Sequence, residues 1–221
     1  METQTENRKE GVILLHGLAR TRKSMEKPAR FLAENGFTVI NQGYPSTKKT
    51  IAELADAAIP DALTRCRKKG ADRIHFVTHS MGGILVRHYL ARHPVPELGR
   101  VVMISPPSRG SEVVDRLRHL AVFKWFNGPA GQQLGTGPDS VPLSLPEPGF
   151  ETGIITGDRS VNLLLSMLIP GKNDGKVSVE RAQLSGMAGF QVVHRSHPFI
   201  MNAPEVLAHT IFFIRNGRFD R

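Results

Sequence analysis

Residues 73–93 read RIHFVTHSMGGILVRHYLARH. The apolar run at 74–78 has the composition of a buried strand, and the segment from Met81 onward has the apolar spacing of a helix. A single serine, Ser80, separates the two and is followed, one residue later, by two glycines. A serine in this position is either the N-cap of a helix or a nucleophile held on a sharp strand-to-helix bend. The rest of the chain must decide between these interpretations.

The composition is that of a globular protein. The chain has 221 residues, of which 40% are hydrophobic and 22% are charged, and this predicts a single domain over residues 1–221. No apolar run reaches the ~18 residues that a membrane-spanning helix needs. The first eleven residues are polar and lack the apolar core of a signal peptide. Cys66 is the only cysteine, so no intrachain disulfide can form, and we expect a cytoplasmic protein.

The formal net charge is +9, from 29 Lys and Arg against 20 Asp and Glu. An excess of this size favours anionic partners in general. The basic residues are scattered, however, and none of the basic runs is interleaved with aromatic residues. We therefore expect a solvated basic surface and no nucleic-acid partner. The histidines show no metal-ligand spacing, so neither a metal nor another cofactor is expected.

Short apolar runs alternate with segments of helical spacing along the chain. Strands are predicted at 12–15, 37–40, 74–78, 100–105, 153–157 and 189–194. Helices are predicted at 24–35, 50–70, 81–93 and 204–216, the second with a capping box at its start and a kink or split at Pro60. Continuous apolar strands between helices predict an α/β fold, with a mostly parallel sheet of about six strands covered by helices on both faces. Ligands of such sheets bind at the carboxyl ends of the strands.

Two segments at strand ends provide groups for acyl transfer. Ser80 would stand at the N-terminus of a helix, where the helix dipole is positive, and Gly82 lets helix and strand approach closely. Attack on an ester also requires two N–H donors for the oxyanion. One follows the nucleophile, at Met81. The other must come from a neighbouring loop, and in LLHGLAR, residues 14–20, the Leu18 amide is the candidate, with His16 expected to order the loop.

A serine nucleophile needs a base, and the base needs an acid that orients it. Two histidines occur in QVVHRSHPFIM: His194 at the end of a predicted strand, and His197 in the loop that follows. A base that serves first the nucleophile and then the leaving group belongs on the loop, which favours His197. For the acid, the Asn-Asp-Gly turn favours Asp174, and Asp158 at a strand end remains the alternative.

Taken together, LLHGL, THSMGG, NDGKVS and SHPFIM resemble the α/β-hydrolases, and within them the small bacterial lipases and esterases. The resemblance covers nearly the whole chain. It implies a nucleophile, a base, an orienting acid and two oxyanion amides, respectively Ser80, His197, Asp174, Leu18 and Met81. The chain departs from the usual G-x-S-x-G pattern because Thr78 occupies the first position. Eleven residues precede the first apolar run, so we expect a trimmed version of the α/β-hydrolase sheet.

Residues 107–150 are predicted to form an insertion that covers the site as a lid. Within them, 111–126 place apolar residues at helical spacing, and we expect Trp125 and Phe126 at the mouth of an acyl pocket. A loop rich in glycine and proline follows, which suits a movable segment. A second apolar segment at 160–170 is either core or an additional pocket wall.

These features predict a serine hydrolase that cleaves carboxylic esters through an acyl-enzyme. The expected substrate is a small-molecule or lipid ester, with transient contact to a lipid surface. An acyltransferase or a thioesterase would use the same groups, and a non-catalytic binding protein with a hydrolase fold is a further alternative. Neither the acyl chain length nor the oligomeric state follows from the sequence.

Overall fold

A computed structural model describes residues 9–220 of the chain. Within them six strands form one sheet in the order β2-β1-β3-β4-β5-β6, and every neighbouring pair is parallel. The strands are β1 Glu10–Leu15, β2 Thr38–Gln42, β3 Arg73–His79, β4 Leu98–Ile104, β5 Thr152–Gly157 and β6 Gly189–Val193. The predicted fold class is confirmed, with each strand within about two residues of its predicted position.

Helices cover both faces of the sheet. They are α1 Glu26–Glu34, α2 Ile51–Lys68, α3 Met81–Leu90, α4 Glu112–Leu117, α5 Ala121–Gln132, α6 Val141–Ser144, α7 Leu163–Ser166, α8 Val179–Ala182 and α9 Pro204–Asn216, with short 3-10 helices at Arg22–Met25 and Ile200–Asn202. In β1, Ile13 and Leu15 pack into the core under α2 and α3, while Val12 and Leu14 pack into the core under α1 and α9. The strand is apolar at successive positions because both of its faces are buried.

Helix α2 begins with the predicted capping box. The Thr50 hydroxyl accepts from the Glu53 amide, and the Glu53 carboxylate accepts from the Thr50 amide. A split of this helix at Pro60 was one expected outcome, and it is wrong, because α2 is continuous. The proline leaves the Asp56 carbonyl without its helical donor, but Asp56 is exposed and water can replace that donor. Ile59 continues the buried face, whose packing favours a single helix.

The structure also describes the two segments for which the sequence left alternative roles, 107–150 and 160–170. Residues 107–150 contain α4, α5 and α6, and the non-helical backbone of Gly128 interrupts α5. In the 160–170 segment, Val161, Leu164 and Met167 are exposed and Ile169 is buried. Val161, Leu164 and Met167 are therefore neither core nor a wall of the pocket described below. None of the helices within residues 9–220 is long and apolar enough to cross a membrane.

Candidate active site

Ser80 stands alone between the end of β3 and the start of α3. Its backbone has φ 53° and ψ −124°, a conformation that is uncommon for a residue with a side chain and that concentrates at functional sites. The Ser80 side chain makes no capping hydrogen bond to α3. The hydroxyl is therefore not used as an N-cap and is left free for another partner.

Small residues make this bend possible. A Cβ at Gly82 would lie 2.6 Å from the Leu15 carbonyl oxygen, so only glycine lets α3 approach the end of β1. A Cβ at Gly83 would lie 3.2 Å from the Thr78 hydroxyl and 2.9 Å from the Met103 sulfur. Gly83 therefore provides the space that Thr78 requires at a position where the family pattern has a smaller residue.

Two loops at the carboxyl ends of the strands bring a base and an acid to Ser80. His197, on the loop after β6, places Nε2 3.1 Å from the Ser80 Oγ. Its Nδ1 lies 2.8 Å from Oδ2 of Asp174, which lies on the loop between α7 and α8, in the connection from β5 to β6. Both side chains are buried. The His197 amide also donates to the Asp174 carbonyl at 3.0 Å, so the two loops are joined by backbone as well as by side chain.

Asp174 is held as an anion. Its Oδ1 accepts from the Lys176 amide at 3.0 Å and from the Val177 amide at 2.9 Å. Burial alone would raise the pKa of the Asp174 carboxyl, but the charge and hydrogen bond of His197, together with the Val177 amide, hold it below its ordinary value. A carboxylate at Nδ1 favours the tautomer with the proton there, which directs the Nε2 lone pair at the serine.

The alternative acid and base form a separate pair. His194 Nδ1 lies 2.8 Å from Oδ1 of Asp158, but the His194 side chain is 78% exposed and no hydrogen bond links either residue to Ser80. His16 orders the loop after β1, as expected. Its ring stacks on Tyr44 with centroids 4.0 Å apart, and its backbone carbonyl accepts from the Tyr44 hydroxyl.

The loop after β1 lies directly against Ser80. A Cβ at Gly17 would lie 2.9 Å from His79 Nδ1 and 3.1 Å from Ser80 Cβ, so the glycine is required for this contact. Within residues 9–220 the backbone N–H groups of Leu18 and Met81 make no hydrogen bond to another protein group. Both amides are thus free to bind a ligand oxygen beside Ser80.

A pocket opens beside Ser80 and His197. Its apolar lining comes mainly from α4, α5 and the loop after α5, namely Val113, Val114, Leu117, Phe123 and Leu134. Trp125 and Phe126 do not line it, which corrects their expected place at its mouth. Phe123 and Asn127 lie four residues apart and face the pocket together. Trp125 and Phe126 are instead 78% and 57% exposed.

Three polar contributions to the site were missed in the sequence. The ring of His79 lies beside that of His197, and its Nε2 is 3.1 Å from the His197 carbonyl oxygen. Arg20 and Lys176 both line the pocket. Arg20 lies two residues after Leu18 and Lys176 two residues after Asp174, and both Leu18 and Asp174 were singled out from the sequence. This proximity in sequence could have indicated that the two cations lie near the site. Among residues 9–220 no three His, Cys, Asp or Glu side chains are arranged to hold a metal ion.

A family model described as alpha/beta hydrolase fold matches residues 11–187, which is well over half of the chain. The chain belongs to the α/β-hydrolase family. No curated protein matches its sequence. Among solved structures, this α/β-hydrolase is similar to the mature lipase BlEst2 of Bacillus licheniformis, with a TM-score of 0.74 and 17% identity over 95% of this chain and 93% of that one.

Two further structures extend the comparison. LipS and LipT, two metagenome-derived lipolytic enzymes, give a match with a TM-score of 0.58 and 17% identity, over 94% of this chain and 94% of that one. Phospholipase PlaB of Legionella pneumophila matches with a TM-score of 0.62 and 19% identity over 79% of this chain, but over only 45% of its own length. At these identities the likeness shows a shared fold.

Proposed function

We propose that this α/β-hydrolase is a serine hydrolase that cleaves carboxylic esters through an acyl-enzyme. One observation carries the proposal: the Ser80 hydroxyl, the two nitrogens of His197 and the Asp174 carboxylate form a continuous chain, with links of 3.1 Å and 2.8 Å. A serine hydroxyl becomes nucleophilic when a neighbouring base removes its proton, and this chain provides the base and its orienting acid.

The proposed reaction uses only groups of this chain and water. Ser80 Oγ attacks the ester carbonyl while His197 Nε2 takes its proton. The amides of Leu18 and Met81 stabilise the oxyanion, and loss of one such donor typically costs about 3 kcal/mol of transition-state stabilisation. His197 then donates the proton to the departing alcohol. Water, deprotonated by His197 in turn, releases the acid and restores Ser80. Asp174 stabilises the imidazolium in both halves.

Two further observations support a lipid or small-molecule ester as substrate. The pocket beside Ser80 has an apolar wall from α4 and α5, which suits an acyl chain. The compared structures include proteins titled lipase, lipolytic enzyme and phospholipase. The apolar wall belongs to residues 107–150, which we propose as the cover of the site. Trp125 and Phe126 are then candidates for transient contact with a lipid surface rather than for the pocket.

The test is a series of p-nitrophenyl esters of increasing acyl length, assayed with the wild type and with Ser80→Ala. We expect hydrolysis by the wild type and none above background by Ser80→Ala. Ser185→Ala, an exposed serine outside the pocket, should keep wild-type rates. Equal rates in all three proteins, or no hydrolysis of any ester, would refute the proposal. A thioester substrate and an added alcohol acceptor, included in the same series, distinguish a thioesterase or an acyltransferase from an ester hydrolase.

A further inference from the structure

Two positively charged side chains line the same pocket as Ser80 and His197. Arg20 follows the Leu18 amide by two residues, and Lys176 follows Asp174 by two residues. The Arg20 guanidinium donates a long hydrogen bond of 3.4 Å to the Pro198 carbonyl oxygen. Both cations therefore stand where a bound substrate would lie.

Neither cation is neutralised by an ion pair. Other basic residues of the chain are paired, such as Arg181 with Glu112 at 2.6 Å and Arg195 with Glu205 at 2.6 Å. Within residues 9–220 no carboxylate forms an ion pair with Arg20 or Lys176. Asp174 lies close to Lys176, but its two oxygens already accept from His197 and from the backbone of its own loop.

The surroundings of Lys176 disfavour its positive charge. Lys176 is exposed at the mouth of the pocket, and its pKa lies below the ordinary value. The largest cause is desolvation of the ammonium, the next is the positive charge of Arg20, and Asp174 opposes both. Two like charges in a partly desolvated pocket repel each other, and a bound anion would relieve that repulsion. The arrangement is therefore suited to an anionic ligand.

The position of the two cations indicates which part of the substrate carries the charge. Arg20 donates to the carbonyl oxygen of Pro198, the residue after His197, and Lys176 lies two residues after Asp174, which is hydrogen-bonded to His197. In the proposed mechanism His197 delivers its proton to the departing alcohol, so the alcohol part of the ester lies on this side. The apolar lining from α4 and α5 remains for the acyl part.

We propose that Arg20 and Lys176 select esters whose alcohol part carries an anionic group, a phosphate or a carboxylate. This inference rests on the proposed ester hydrolysis. The +9 net charge of the chain agrees with it, because a positive field raises the local concentration of anionic substrates. Phosphate is the group that a phospholipid-like ester would present, and carboxylate is the group that a small-molecule ester would present.

The experiment compares charged and neutral esters of the same acid. One pair is phenyl butyrate and 3-carboxyphenyl butyrate, and the other is 1-butyrylglycerol and its 3-phosphate. The quantity measured is the ratio of kcat/KM for the charged ester to kcat/KM for the neutral one, so that effects common to both esters cancel. We expect a wild-type ratio above one in at least one pair, decreasing between about 0.05 M and about 0.5 M salt. The pair with the larger ratio identifies the anion.

Variants assign the effect to the two residues. Arg20→Met and Lys176→Met should each lower the ratio by roughly tenfold, as expected for loss of a charge-assisted hydrogen bond, and the double variant should bring it near one. Arg20→Lys should recover part of the ratio. Arg22→Met and Lys172→Met remove the same charge from exposed positions outside the pocket and should keep the wild-type ratio. Fluorophosphonate labelling of Ser80 verifies that each variant is folded.

A wild-type ratio at or below one in both pairs would overturn the inference. So would a double variant whose ratio equals that of the two controls. In either case, neutral esters that are still cleaved in a Ser80-dependent manner would leave the proposed function standing. If no ester is cleaved in a Ser80-dependent manner, the proposed function fails and this inference fails with it.

Discussion

Two histidine–aspartate pairs lie close together at the carboxyl ends of β5 and β6, and both have a distance of 2.8 Å between Nδ1 and a carboxylate oxygen. In the His194–Asp158 pair the side-chain exposures are 78% for the histidine and 8% for the aspartate, whereas in the His197–Asp174 pair they are 4% and 0%. Only His197 also reaches Ser80. The distance within a pair therefore does not identify a candidate site. Burial and a third group at the other ring nitrogen distinguish the two.

The difference has a physical basis. In a dry environment a charge–dipole contact is stronger than the same contact in water, so a buried pair orients an imidazole more firmly than an exposed pair does. The buried pair is also fixed through the backbone, because the His197 amide donates to the Asp174 carbonyl. A Cβ at Gly157 would lie 2.1 Å from the Arg195 carbonyl oxygen and 3.1 Å from Asp174 Cβ. Glycine at the end of β5 thus lets the two loops approach each other.

The largest expected difference is between the two histidines. His197→Ala should lower kcat/KM on a p-nitrophenyl ester by on the order of 10⁵-fold, because the proposed base is lost. His194→Ala should remain within about twofold of the wild type, since an exposed ring without contact to Ser80 has no part in proton transfer. Steady-state kinetics on both variants measure this. Equal losses in the two variants would remove the distinction drawn between the pairs.

The two aspartates should differ in the same way, by a smaller factor. Asp174→Asn keeps the size of the side chain but removes the charge that sets the His197 tautomer, and we expect a loss of about 10⁴-fold in kcat. Asp158→Asn should again stay within about twofold. The measurement is kcat at saturating ester. A large loss in Asp158→Asn with little loss in Asp174→Asn would mean that the acid is assigned to the wrong residue.

A third histidine, His79, contacts this site, and we expect its protonation to affect the stability of the protein rather than the rate of hydrolysis. Burial, and next the charge of His197, lower the pKa of His79 well below its ordinary value. As the pH falls below about 6.5, the unfolded chain binds a proton at this position and the folded protein does not. The free energy of unfolding should therefore decrease as the pH is lowered below about 6.5. His79 should contribute up to about 1.4 kcal/mol to this decrease per pH unit.

Substitution of His79 isolates that contribution. His79→Gln retains an amide that can donate to the His197 carbonyl but cannot titrate. Urea unfolding at about pH 7, 6 and 5 should give a smaller decrease in stability for this variant than for the wild type. His16 also has a pKa lowered by burial, so some decrease should persist in the variant. Identical pH dependence in the two proteins would contradict the assigned environment of His79.

The smallest expected effect is the stability contributed by the exposed pair. His194→Ala should lower the free energy of unfolding by less than about 1 kcal/mol, because the ring is 78% exposed and water competes for its hydrogen bond. Asp158→Asn should have an effect of similar size, because asparagine keeps the size of the side chain and an oxygen that can accept from His194. Their coupling in a double-mutant cycle should be of similar or smaller size. A coupling of several kcal/mol would contradict this expectation and show that the His194–Asp158 pair contributes substantially to stability.

Much of the fold could be predicted because each of the six strands contains a short apolar run. The run is clearest in the inner strands β1, β3 and β5, which are buried on both faces along most of their length. Pro60 shows the limit of local reasoning, since packing of α2 against the sheet keeps the helix continuous across it. The orientation of α5 about its own axis is a second feature that the sequence did not predict. The chain turns between α4 and α5 at residues 118–120, so the spacing of the apolar residues in 111–126 did not predict which side of α5 faces the pocket.

The candidate site was partly accessible to the same reasoning. Chain order and loop position singled out Ser80, Asp174 and His197, and the structure brings these three together. Arg20 and Lys176 were not singled out, because a surface lysine and a lysine that lines a pocket look alike in a sequence. Trp125 and Phe126 were assigned to the pocket because they are aromatic. Both are exposed and neither lines the pocket, and the sequence alone does not show which side chains of α5 the surrounding chain covers.

The most direct measurement is covalent labelling with a fluorophosphonate, with the adduct located by peptide mass spectrometry. We predict one adduct on Ser80 of the folded wild type, rapid labelling in His194→Ala, and labelling slowed by several orders of magnitude in His197→Ala. An adduct on another residue, or labelling of Ser80 at equal rates in the two histidine variants, would contradict the claim that the buried pair activates this serine.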